Sequence, residues 1–141
     1  MGQAAVDAAW KDLDNQDRFV QFAARVALEH QDATLWASKA LAETGPLKAT
    51  LALLALTRVS APDPFHRKPT DPEADPALRA KIVAALSRID HTKLPDDQKL
   101  DLIRVYHVLF NRFGRPTPAE SAAVIAKFDP VFPDKNRFVN G

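Results

Sequence analysis

The sequence predicts an all-α fold built as a stack of antiparallel helical hairpins. Three observations point there. Apolar residues make up 46% of the chain and are mostly alanine and leucine, a composition that favours helix over sheet. Apolar positions recur three and four apart, the spacing of one helix face. Helix starts and stops punctuate these runs, at Asp17, Gly45-Pro46, Pro95-Asp96-Asp97, Gly114 and Thr117-Pro118. A chain of 141 residues can bury a sizeable core, and residues 1–141 are read as one domain.

The first helix spans Ala4 to Leu13, with Ala5, Val6, Ala9, Trp10 and Leu13 at helical spacing. It is short and reads as the last helix of a preceding hairpin. Asp14, Asn15 and Gln16 turn the chain into a second helix, DRFVQFAARVALE, capped by Asp17. Here Phe19, Phe22, Ala23, Val26 and Ala27 form one stripe, expected to face inward. Val20, Ala24 and Leu28 widen it beyond the usual arc, so the helix is expected to be covered on more than one side. Arg18, Gln21, Arg25 and Glu29 are left for the wetter surface.

A third helix begins near Asp32 or Thr34 and carries Leu35, Trp36, Ala40 and Leu41. Gly45 suits a left-handed C-cap, and Pro46 suits the first turn of the next helix. That helix, Pro46 to about Ser60, is apolar nearly all round and must be interior. Ala61 to Pro76 holds five prolines, through which no regular helix can run. It is longer than an ordinary hairpin connection, so it is read as an exposed loop, functional or poorly ordered.

Pro76 opens a helix to about Ile89, with Leu78, Ile82, Val83, Ala85 and Leu86 facing in. Pro95, Asp96 and Asp97 open a long helix to Phe113, ended by Gly114. Thr117 and Glu120 have the spacing of a capping box for a last helix with Ala122, Ala123, Ile125 and Phe128. The helices thus pair as Asp17–Glu43, Pro46–Ile89 and Pro95–Phe128, about three hairpins behind a leading helix.

The chemistry-bearing residues form no constellation. With no cysteine there is neither a disulfide nor a thiolate metal site. The four histidines, His30, His66, His91 and His107, are scattered, and no serine sits in an elbow pattern. No catalytic, cofactor-binding or metal-binding residue is assigned. A net charge of +1 argues against a dedicated nucleic-acid binder. No apolar run approaches a membrane span. Phe65 beside Arg67 in the proline-rich loop could anchor a protein interface; the plain alternative is that Phe65 tucks back onto the helix ends.

The run FVQFAARVALE resembles the first helix of a HEAT repeat, whose pattern is close to V-R-x-x-A-A-x-A-L, with Gln21 where Arg is common. The resemblance implies a HEAT-like, armadillo-type α-solenoid with a right-handed superhelix. It implies a scaffold or protein-interaction role that positions neighbouring domains, with protein as the partner. Some HEAT-like proteins of the alkylpurine glycosylase type cradle DNA in a basic concave groove. Lys39, Lys81, Arg88 and Lys127 lie on the second helices that would line such a groove. They are the candidate residues for that alternative, which lacks interleaved aromatics for base stacking. Glu29-His30 is similar, in reversed order, to the His-Glu pairs of iron-binding HEAT enzymes such as deoxyhypusine hydroxylase; the plain reading is a histidine at a helix C-terminus.

A narrower resemblance rests on DRFVQFAARVALE, the Trp36 helix, LLALTRV, LIRVYHVLFNRFG and a closing FP…N. These phrases are similar to the HEAT-repeat region of large secreted proteins of planctomycete-type bacteria. There the region lies beside a dehydrogenase-like β-propeller and a haem-binding cytochrome c module. The resemblance implies a periplasmic or extracellular setting within a redox protein. The chain has no Cys-x-x-Cys-His, so haem would belong to another part. Asn136-Arg137-Phe138-Val139 repeats the lead-in Asp17-Arg18-Phe19-Val20. The segment is therefore expected to be an excerpt whose native chain continues with another helix. An apolar C-terminal end, with Val124, Ile125 and Phe128, is expected to favour self-association there.

Overall fold

A computed structural model describes residues 2–61 and 75–128. The described residues contain α-helices and two 3-10 turns and no strand, so the fold is all-α. The order is α1 (Gly2–Asp12), α2 (Arg18–Glu29), a 3-10 turn (Ala33–Leu35), α3 (Ala37–Ala42), α4 (Pro46–Ser60), α5 (Pro76–Ser87), a 3-10 turn (His91–Lys93), α6 (Asp96–Phe113) and α7 (Pro118–Phe128). Apart from Ala61, Asp75 and Pro76, the proline-rich loop expected at 61–76 lies outside the described residues, as does the tail 131–141.

Local chemistry sets most of these boundaries. The Asp17 carboxylate accepts from the Phe19 amide at 2.8 Å and starts α2. Asp75 does the same for α5 through Ala77 at 2.9 Å. Thr117 and Glu120 form the expected capping box: the Thr117 amide donates to Glu120 Oε1 at 2.9 Å, and the Glu120 amide to Thr117 Oγ1 at 3.1 Å. The expected third helix is broken. Asp32 caps a single 3-10 turn, and Trp36, with φ −138°, separates it from the six-residue α3. Gly45 departs from expectation: its φ is −68°, ordinary extended backbone, and it precedes α4 as the N-cap instead of closing α3 in the left-handed region. Gly114 does use that region, with φ +119°, to end α6.

Helix α4 is the centre. Every residue from Ala49 to Thr57 is buried, as its all-round apolar sequence requires. The two threonines in this run keep their hydroxyls satisfied by donating to carbonyls one turn back, Thr50 to Pro46 and Thr57 to Leu53, both at 2.7 Å. Helices α2, α3, α5 and α6 all pack on α4.

The helices fall into two like-directed rows. Trp10 Nε1 at the end of α1 donates to Glu43 at the end of α3, at 2.7 Å. Arg88 at the end of α5 donates to the Leu41 carbonyl of α3, and Lys127 near the end of α7 to the Leu86 carbonyl of α5, the latter at 3.0 Å. At the other end of this row Arg79 of α5 meets Glu120 of α7 at 2.8 Å. In the second row Arg58 Nε near the end of α4 meets Glu29 at the end of α2 at 3.1 Å. Arg112 near the end of α6 donates to the Arg58 and Ala61 carbonyls at the end of α4, each at 3.0 Å. Apart from the Trp10 indole, the helix ends are thus tied by cations, several of them on C-terminal carbonyls.

The main correction concerns α2. Gln21, Ala24, Arg25 and Leu28 are its buried residues. The expected inward stripe is largely outside: Phe19 is 86% exposed and Phe22 59%, and Ala23 and Ala27 are exposed as well. The reason is that the polar residues have internal partners. Gln21 Nε2 donates to the Asn15 carbonyl and fixes the α1–α2 turn, and Arg25 bonds Glu29, which also holds Arg58. In α7 Ile125 is exposed, as expected of an apolar C-terminal end, and Val124 is half-buried, but Phe128, expected on the same open patch, is buried.

Leu54 tests the central position of α4. It is 3% exposed, and Leu54→Ala is expected to cost about 2–5 kcal/mol in a urea melt, the range for a buried leucine and its cavity. A loss of only a few tenths would remove α4 from the interior.

Candidate binding surfaces

The four cations considered for a basic face have different fates. Lys39 sits over the Trp10 ring, 4.8 Å from its centroid, with Asp7 at 4.0 Å. Arg88 and Lys127 tie helix ends to the Leu41 and Leu86 carbonyls. Lys81 is exposed on α5. Lys39 and Arg88 are linked through α3, and Arg88 and Lys127 through the end of α5. Three of the four therefore follow one another along a row, each already engaged within the chain. Phe65 and Arg67 lie outside the described residues.

A groove of about 400 Å³ opens between α5, α6 and α7. Val83, Tyr106, Phe110 and Val124 supply apolar walls, with Ser87, Glu120 and Lys127 as polar groups. It exists because α7 presents alanines, Ala119 and Ala123, toward α5 and α6 and is held at its two ends. At one end the Arg79 guanidinium grips Glu120 with two nitrogens, at 2.9 and 2.8 Å, and also donates to the Arg115 carbonyl. At the other, Phe128 packs edge-on against Tyr106, with ring centroids 6.0 Å apart, and tilted against His91 at 5.6 Å.

Burial raises the Tyr106 hydroxyl to about 12, so it stays protonated. Burial also lowers Lys127 and His91, and Lys127 adds to the effect on His91. The groove is a concave, largely apolar surface with the Arg79-bound Glu120 carboxylate and the Lys127 ammonium among its lining groups. Tyr106 and Phe110 stand four apart on α6, a spacing the sequence shows; the standoff of α7 depends on the Arg79–Glu120 grip between helices, which local spacing does not encode.

A second surface lies at the opposite end, between α1 and α2. Ala5, Ala8, Ala9, Ala23, Ala24 and Ala27 form its floor, about 540 Å³ in all. Phe19 and Val20 rise beside it, and Asp12, the last residue of α1, stands at its end. Arg18 turns away to Asp97 and Asp101 of α6, at 3.1 and 3.3 Å.

The remaining chemistry is local. His30 Nδ1 lies 3.0 Å from the Val26 carbonyl, closing the end of α2. Among the described residues no three His, Asp or Glu side chains gather as metal ligands, and no helix is long and apolar enough to cross a membrane.

The Glu120 grip has a pH signature. Arg79 first, and then the Thr117 amide, hold the Glu120 carboxyl down from its ordinary 4.5 to about 2. A depressed carboxyl stabilises the fold above its ordinary value, and that contribution is lost as pH falls from about 4.5 to about 2. Glu120→Gln is therefore expected to flatten this part of the stability–pH curve in acid titrations followed by circular dichroism. Asp32, held low by the Thr34 amide and hydroxyl, and Asp90, held low by the Thr92 hydroxyl and amide, supply further acid sensitivity. An unchanged acid limb would show that the grip is absent in solution.

Compared with protein-family models, with curated proteins and with solved structures, the chain matches none of them.

Proposed function

We propose that this chain is a non-catalytic scaffold or protein-interaction module, a HEAT-like α-solenoid that positions neighbouring domains. The observation that supports it is the arrangement of the helices in two like-directed rows, α1, α3, α5, α7 and α2, α4, α6. Alternation between rows along the chain is what stacked hairpins produce. The row ends are tied internally, which leaves the broad helix faces, with Phe19 and Ile125 exposed on them, for contacts with other proteins. A periplasmic or extracellular place inside a larger redox protein belongs to the same proposal and rests on the resemblance of the helix phrases alone.

The rival reading is a nucleic-acid-binding module with a basic concave face. Lys39, Arg88 and Lys127 weigh against it, because each is engaged within the chain. Fluorescence anisotropy with labelled single-stranded DNA, duplex DNA and RNA at physiological salt separates the two. The scaffold reading expects only the weak, salt-sensitive association that a few lysines give. A submicromolar affinity that depends on sequence or on a lesion would overturn it.

A further inference from the structure

The groove between α5, α6 and α7 has two unlike ends. At one, the Glu120 carboxylate is fully engaged: its oxygens accept from Arg79 at 2.9 and 2.8 Å, and one also accepts from the Thr117 amide. At the other, the Lys127 charge is not answered. This ammonium is half-buried and donates to the Leu86 carbonyl at 3.0 Å, and among the described residues no carboxylate forms an ion pair with it. Asp90 acts on it only through space, and the Asp90 carboxylate itself accepts from Thr92. An ammonium carries three donors, so Lys127 keeps two to offer. The Ser87 and Tyr106 hydroxyls stand beside it. Val83, Phe110 and Val124 form the walls from there toward Glu120, with the Arg79 guanidinium over the Phe110 ring. We propose that this groove is a binding site for a small apolar monocarboxylate, its carboxylate on Lys127 and its hydrocarbon along Val83, Phe110 and Val124.

Charge selects the occupant. A half-buried charge with no counter-ion is costly, and an anion at Lys127 removes that cost. The Tyr106 hydroxyl, which burial keeps protonated, can donate to the same anion. An amine is opposed by Lys127 at one end and finds Glu120 taken by Arg79 at the other. A second carboxylate would meet Glu120. One charge on an otherwise apolar body is what remains.

Size agrees with charge. The groove holds about 400 Å³, within the range of small-molecule sites. From Glu120 to Lys127 its length along α7 is about 10 Å at the rise of a helix. A straight chain the length of octanoate lies along it. The site is a further activity of the chain and does not rest on the scaffold reading.

Titration of the 141-residue chain with sodium octanoate, followed by amide chemical shifts, tests it. The result expected is saturable, single-site binding with the shifts centred on Val83, Ser87, Tyr106 and Val124. Hexanoate and butanoate should bind less tightly, by about threefold to fourfold for each methylene withdrawn from the groove. Octanol and octylammonium should bind about tenfold or more weakly than octanoate, because neither brings an anion to Lys127. Lys127→Met should weaken octanoate by about tenfold or more and leave octanol unchanged, which also shows the groove to be intact. Ala123→Phe, which fills the groove, should abolish binding of both, and Ile125→Arg, on the exposed side of α7, should change neither. Circular dichroism melts check that the variants fold, and the ranking of the three head groups on the unaltered chain decides without any variant. No saturation at millimolar octanoate would overturn the proposal and leave the groove to an apolar side chain of a protein partner. So would equal affinity for the three head groups, or shifts centred on the alanine surface of α1 and α2.

Discussion

Burial of α4 on all its sides is the constraint on which the other helices depend. A helix with Leu51, Leu53, Leu54 and Leu56 inside has no face to give to water. Four neighbours, α2, α3, α5 and α6, must therefore surround it, and the connections on either side of it must allow that. The two buried threonines are tolerated only because each hydroxyl returns to its own helix. The hydrophobic term here is collective and non-directional, and it fixes which helices touch before it fixes how they are aligned.

Alignment comes from the ends. Unpaired C-terminal carbonyls carry partial negative charge, and a cation from the next helix in the same row answers it. Arg112 on the end of α4 and Arg88 on the end of α3 make this contact, and Lys127 adds to the Leu86 carbonyl of α5, which already accepts from the Ile89 amide. These bonds couple two tasks, satisfying the carbonyls and setting the register of like-directed helices. They also take up side chains that a reading by charge alone assigns to a partner. Where the ends hold and the middle does not, as along α7, a groove remains between the helices.

Most of the helix order was legible in the sequence because capping and helix breaks are local chemistry. Asp17, the Thr117–Glu120 box and Gly114 each act within a few residues of the boundary they set. The interior place of α4 was legible because its composition leaves no alternative. The outward face of α2 was not. Its apolar stripe has the stronger amphipathic spacing, yet Gln21 and Arg25 are buried because Asn15 and Glu29 offer them partners. Spacing reports which residues share a face; it does not report which face the neighbouring helices cover. The same limit applies to Arg88 and Lys127, whose carbonyl acceptors lie 47 and 41 residues away. Gly45 shows the converse: glycine permits a left-handed turn without requiring one, and here the backbone stays extended.

The central place of α4 is most directly tested by native-state hydrogen exchange. If α4 is surrounded as described, the amides of Leu53, Leu54, Ala55 and Leu56 exchange only through global unfolding, with the full stability of the domain. The amides of α7, held chiefly at its ends, exchange through smaller openings. Amides in α4 that open at lower free energy than those of α7 would contradict the account.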